Sequence, residues 1–345
     1  MKRGSRLVRL LAVLLVVLAV VYLGLARTAP GFGELADLVT GLFGGEARRA
    51  TDPYALADRF VLLQIRLPRL LVAIFGGMSL AVAGTVMQAT FRNPLASPDF
   101  VGTAAGSAFG GALAIVTGLA GLAVVAVPGL SLLCATIVTA LVFVLAGSHG
   151  RFSTTGLLLA GVALNTLVGA LTAFVVTFTF SNYTASSQVL FWLMGGLDAR
   201  TWDHAWITMG GSVLFAALIV PDARSLDLLT LRDDSAHSLG LDAARARRRL
   251  LWLACGLTAT TVANTGGIAF VGLVVPHLSR LLVGPSHRVL LPAAALLGAV
   301  LLVASDLACR LAPPDMNLRL GVVTALLGAP YFLFLLARHR RGEDL

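Results

Sequence analysis

Residues 7–26 read LVRLLAVLLVVLAVVYLGLA, a run interrupted by one arginine and otherwise almost wholly apolar. A helix rises 1.5 Å per residue, so about 20 such residues cross a hydrocarbon layer of about 30 Å. Lys2, Arg3, Arg6 and Arg9 crowd its start. Positive charge on that flank predicts a first membrane helix with a cytoplasmic N-terminus. A signal peptide has the same charged start, but its apolar core is normally shorter, which favours an uncleaved helix.

The pattern repeats. Further apolar runs lie near 67–90, 101–119, 121–147, 156–180, 203–220, 250–266, 268–284, 289–311 and 320–337. The chain has 345 residues, 57% hydrophobic and 12% charged, against about 45–50% and about 25% in a soluble domain. That excludes a soluble enzyme, a disordered chain and a disulfide scaffold. The prediction is an all-α polytopic membrane protein, one domain over 1–345 with about ten transmembrane helices. Helix 1 spans 7–26, an external loop 27–66, helices 2–6 residues 67–220, a hydrophilic stretch 221–249, helices 7–10 residues 250–337, and a cytoplasmic tail 338–345. Ser186–Leu197 is too short to span and is placed at an interface. Residues 250–284 read either as two short helices or as one helix with a re-entrant turn.

The net charge of +9 does not point to nucleic acid, because Lys2 is the only lysine and the arginines flank apolar runs. With ten passes, 17 of the 26 basic residues fall on segments expected inside, as the positive-inside rule requires. Arg59, Arg66 and Arg69 are the anomaly, falling outside at the mouth of the second helix. Gly102, Gly106 and Gly110 repeat at small-xxx-small spacing, which lets helices approach closely in lipid.

Some chemistry is excluded outright. A P-loop needs a lysine in GxxxxGK[ST], and position 2 cannot supply it, so any ATPase must be another chain. Cys134, Cys255 and Cys309 are far apart and read as reduced core residues. There is no HExxH, no GxSxG and no paired carboxylate, so neither enzyme activity, metal site nor cofactor is expected. A proton-driven secondary carrier needs titratable groups within the membrane. Its candidates are Asp99, Asp306 and His277, and for Asp306 an i,i+4 pair with Arg310 is the plainer reading.

Ordered segments then carry a resemblance. They are QIRLPRLL (64–71), AVAGTVMQA (81–89), FRNPLASP (91–98), STTGLLLAGVAL (153–164), FWLMGG (191–196), AHSLGL (236–241), GGIAFVGLVVPHLSR (266–280), HRVLLP (287–292) and GVVTALLGAPYF (321–332). From about residue 60 onward the sequence resembles the iron-siderophore, haem and vitamin B12 permeases of the FecCD type, the membrane subunits of type II ABC importers.

The resemblance implies a cobalamin-permease-like bundle in a bacterial inner or plasma membrane, both termini cytoplasmic. It implies an ATP-driven importer of an iron chelate, ferric siderophore first and haem or cobalamin next. Its partners would be two cytoplasmic ABC ATPase subunits, a second permease subunit (identical or sister), an external substrate-binding protein and membrane lipid. By motif position, Arg66, Arg69 and Arg310 would dock the binding protein, with headgroup anchoring or internal pairing as the alternative. Thr154 and Thr155 would form a cytoplasmic gate, where a helix N-cap competes as an explanation. Ala236, Leu239, Gly240 and Leu241 would make the bend of the ATPase-coupling helices. Met87, Gln88, Asn93 and Asn165 are path-lining candidates that core packing explains as well.

Overall fold

A computed structural model describes residues 2–25, 57, 59–147, 154–179, 183–231, 233–313 and 316–340. Helices α1 (Lys2–Gly24), α2 (Leu67–Phe91), α3 (Thr103–Val116), α4 (Ala126–Ala146) and α5 (Thr154–Thr177) come first. Then follow α6 (Tyr183–Leu193), α7 (Trp202–Ile219), α8 (Ala223–Leu229) and α9 (Asp233–Ser238). The chain closes with α10 (Ala243–Thr265), α11 (Val271–Val283), α12 (His287–Leu311) and α13 (Leu320–Arg340). No strand occurs among the described residues.

Six of the helices are long and apolar enough to cross a membrane, and α3, α11 and α13 carry shorter apolar stretches. The basic first turns of α10 lower its hydropathy and leave it outside both groups. Residues 250–284 form the end of α10, a tight turn at 266–270, and α11. The 11-residue α6 is too short to span.

Three boundaries differ from the sequence reading. Residues 59–66 are helical and run into α2, with a wide π-turn at Val61–Arg66 just before Pro68. Proline has no N–H to donate to the preceding turn, and a locally widened helix accommodates that loss. Arg245–Arg249 belong to α10, because Asp242 accepts from the Arg245 N–H at 3.0 Å and starts that helix as its N-cap. Residues 338–340 continue α13. The rest of the expected external loop, except Ala57, and residues 341–345 of the tail lie outside the described residues.

The bundle is built around α2. Its apolar window is 78% buried, against 17% for α5, and it packs on α12, α10, α7 and α11. Glycine makes this possible. A Cβ at Gly77 would lie 2.3 Å from the Gly298 carbonyl oxygen, and one at Gly84 would lie 1.8 Å from that of Gly272. The backbones of α2, α12 and α11 therefore touch, and dispersion between them replaces the missing hydrophobic drive of a lipid medium. Gly106 and Gly110 likewise seat α3 on α4. Buried threonines of α10 are satisfied within their own helix, Thr258 on Ala254 O and Thr261 on Leu257 O, as a water-free surrounding demands.

Candidate functional site

The charged residues collect at the two ends of the bundle. At one end, Arg69 on the first turn of α2 meets Asp306 near the end of α12. Its Nε donates to Asp306 Oδ2 at 2.8 Å and its Nη2 to Oδ1 at 2.7 Å. Asp306 is completely buried. The Tyr22 hydroxyl of α1 adds a third bond to Oδ2 at 2.5 Å. Arg69 Nη1 also donates to Asp198 Oδ1 at 2.8 Å, and Arg319 Nη1 donates to Asp198 Oδ2 at 2.7 Å. The loop bearing Asp198 is stitched to the end of α10 by Gly196 N–H to Thr265 O at 2.8 Å. One chain of ion pairs, extended to α1 by the Tyr22 hydrogen bond, thus joins α1, α2, the loop after α6, α12 and the entry to α13. A buried carboxylate is tolerated only when fully compensated in this way.

This geometry corrects the i,i+4 reading. Asp306 and Arg310 do not pair, because Arg69 takes both carboxylate oxygens. Arg310 turns to α1 instead, donating to Tyr22 O at 3.1 Å and Leu25 O at 3.4 Å, with its guanidinium 4.5 Å from the Tyr22 ring centre. Arg66 is buried and donates to Leu23 O at 2.7 Å. Two arginines therefore cap the last carbonyls of α1, where the helix has no N–H to offer them and its dipole is negative. Of the three arginines expected to dock a partner, Arg66 and Arg69 are committed inside the subunit. Arg310 alone is part-exposed and without a carboxylate partner among the described residues.

At the opposite end, α8, α9 and their turns form a platform. Arg92, in the left-handed conformation that ends α2 (φ 50°), donates Nε to Leu229 O at 2.8 Å and pairs with Asp233. The buried Arg247 of α10 reaches the same carboxylate at 3.1 Å. Desolvation alone would raise the Asp233 carboxyl, but the Arg92 hydrogen bond and the charge of Arg247 outweigh it and hold the group below the usual carboxylate range. Asp227 accepts from the backbone N–H and the ring of His287, at 2.9 and 2.6 Å, fixing α8 to the start of α12.

On this platform the four AHSLGL residues have distinct places. Ala236 is fully buried and accepts from Leu241 N at 3.0 Å. Gly240 adopts φ 83°, a left-handed turn open to glycine without strain. Leu239 is 57% exposed at the tip, and Leu241 packs back on the core. Leu239 is thus an exposed leucine at the tip of a turn whose flanking residues, Ala236 and Leu241, pack inward.

Thr154 begins α5 and Thr155 is exposed on its first turn; the Thr154 side chain and Ser153 lie outside the described residues. The four path candidates separate. Met87 is completely buried among core side chains, so it lines nothing. Asn165 is used internally, donating to Asp99 O at 2.7 Å. Gln88 and Asn93 border a cavity of about 540 Å³ beside Arg92, Arg280 and His287. An apolar cavity of about 320 Å³, with Leu80, Phe270 and Phe332 in its wall, lies between α2, α11 and α13.

Sequence reasoning missed Tyr22, Asp198, Arg319, Arg92, Asp233 and Arg247 as members of these networks. The available signal was scarcity: with 17 acidic residues in 345, each acid near a helix end needs a partner from the same end.

The chain matches the FecCD transport family over residues 10–338. It is 42% identical over 283 residues to the Fe(3+) dicitrate transport system permease protein FecD of Escherichia coli, covering 81% of this chain and 86% of that one. It is 41% identical over 272 residues to the cobalamin import system permease protein BtuC of Halobacterium salinarum, covering 79% and 72%. For the hemin transport system permease protein HmuU of Yersinia pestis the figures are 40% over 292 residues, 82% and 84%. A solved structure described as an inward-facing metal-chelate type ABC transporter superposes with a TM-score of 0.82 at 32% identity, covering 97% of this chain and 99% of that one.

Proposed function

Because the chain belongs to the FecCD transport family, we propose that it is the permease subunit of an ATP-driven importer for an iron chelate, ferric siderophore before haem or cobalamin. The observation that carries the ATP-driven part is the platform at the Arg92 end. Leu239 projects from a turn that Asp233 locks to both α2 and α10, in a chain whose only lysine is Lys2. A force applied at that turn reaches the central helix through ion pairs rather than through a flexible loop.

In this reading the Arg92 end faces the cytoplasm, as the distribution of basic residues supports, and the Arg69 end faces the binding protein. Arg310 is the docking arginine; Arg66 and Arg69 hold the outer ends of α1 and α2 in register for it. The outward apolar faces of α5 and α13, with Leu159, Phe174, Leu326 and Leu333 exposed, fit a second permease subunit. Thr155 stands where α5 begins and serves the inner gate. Gln88 and Asn93 border the inner mouth. The proton-driven alternative loses its main group, since Asp306 is held by Arg69 and Tyr22 at a helix end rather than poised to exchange a proton along a path.

The test is purification in mild detergent with mass spectrometry of what accompanies the chain. An ATPase at equal stoichiometry supports the importer, and a second permease decides between a homodimer and a sister pair. A chain that purifies alone across several detergents, with uptake that survives ATP depletion, would overturn the proposal.

A further inference from the structure

At the Arg69 end, α6, the loop behind it and residues 115–127 border an open cavity of about 610 Å³ that the coupling and docking geometry leaves unused. Its floor is aromatic. Trp192 is 7% exposed and is seated against Gly111, where a Cβ would stand 2.1 Å from the indole nitrogen. The Arg319 guanidinium lies 3.7 Å from the Phe191 ring centre, and that of Arg200 lies 5.9 Å from Trp192. The far wall, with Val124 and Val127, is apolar, and Gln188 of α6 stands exposed at its edge.

The charges in this cavity do not balance. Asp198 is the one acid lining it, and its two oxygens are already taken, by Arg69 and by Arg319. Arg200 has no carboxylate partner among the described residues. Its one hydrogen bond, to Gly196 O, is long at 3.4 Å, and its Nε, like that of Arg319, is buried without an acceptor. Burial lowers the Arg200 guanidinium to about 10 against the pull of Asp198, so at neutral pH it stays a cation. A partly buried cation over an aromatic floor, with donors unspent, is costly unless an anion completes it.

We propose that this cavity is a receiving subsite for an anionic chelate, one presenting carboxylate or catecholate oxygens beside planar or apolar surface, and that Arg200 selects for the negative charge. The oxygens meet the guanidinium groups of Arg200 and Arg319 where these line the cavity, and the apolar part of the ligand lies against Trp192, Phe191 and the valine wall. The inference rests on the importer reading and narrows it, favouring anionic iron chelates over uncharged cargo.

The experiment is equilibrium binding to the purified importer complex in phosphatidylcholine nanodiscs at fixed ionic strength. Radiolabelled ferric dicitrate and a ferric tris-catecholate are the anionic probes, and an uncharged ferric trihydroxamate is the reference. The anionic probes are expected to bind at least about tenfold tighter than the reference. Arg200→Gln should abolish that preference while Arg200→Lys retains most of it. Gln188→Glu, an exposed change that does not threaten folding, should weaken the anionic probes alone. Binding that ignores charge, or a preference that survives Arg200→Gln, overturns the proposal. So does intact chelate binding with weakened capture of the binding protein, which would make the cavity a protein-docking site. Loss of the ATPase from the purified complex would strike the importer reading instead, and is read separately on the same sample.

Discussion

Arg69 and Asp306 stand 237 residues apart and meet as a two-point pair, both carboxylate oxygens held at 2.7–2.8 Å. The pair closes α2 against α12 at the end where Tyr22 brings in α1. Removing one partner leaves a buried charge uncompensated, which in proteins costs about 3–5 kcal/mol, whereas replacing both with apolar groups costs far less. Asp306→Ala is therefore expected to lower the unfolding midpoint in detergent steeply. The double variant Arg69→Leu/Asp306→Leu should recover much of the loss. Strictly additive losses would mean the two residues act independently.

Arg66 and Arg310 both cap α1, yet they differ in access. Arg66→Ala should cost about 2 kcal/mol of stability, as expected for a lost charge-assisted hydrogen bond, and leave the association rate of the binding protein unchanged. Arg310→Glu should slow that association several-fold at low salt, with the difference fading as salt screens it. Surface-based kinetics on nanodiscs separates the two. A slower association with Arg66→Ala and none with Arg310→Glu would reverse the assignment.

The class of fold was legible in the sequence because lipid imposes one rule, about 20 apolar residues per crossing, which six helices meet in full and further apolar runs approach. The short α6 and the turn at Gly240 were legible for equally local reasons, length in one and a glycine between two helices in the other. The outer ion-pair network was not. Asp306–Arg310 satisfied i,i+4 spacing, but spacing gives only opportunity. Which carboxylate Arg69 takes depends on α2 and α12 touching at Gly77 and Gly298, a contact between segments over 200 residues apart. Met87 shows the same limit from the other side: a soft side chain in a matching motif, placed by packing wholly inside the core.

Thr155 lies exposed on the first turn of α5, so added bulk there strains no core. Thr155→Trp is expected to change substrate leak from proteoliposomes without shifting the unfolding midpoint. Thr155→Ser should behave like the native residue. If leak and uptake both stay unchanged with tryptophan present, the residue has only a helix-end role.

Gly240 separates transmission from folding. Its φ of 83° is disfavoured for a residue with a Cβ, by roughly 1–2 kcal/mol, yet nothing lies within 4 Å of where that Cβ would be. Gly240→Val therefore meets backbone strain alone, at an exposed turn outside the bundle, and the helices should assemble as before. The strain is relieved by tilting the turn, which moves Leu239 away from the position that the proposed coupling contact needs. The expected result is a complex of normal composition and near-normal ATP hydrolysis whose uptake per ATP falls several-fold. Leu239→Asp goes further, removing the apolar side chain itself, and should release the ATPase during purification. Unaltered uptake per ATP in Gly240→Val, with the ATPase retained by Leu239→Asp, would place the coupling contact elsewhere on the platform, with Arg92 and Asp233 the next residues to change.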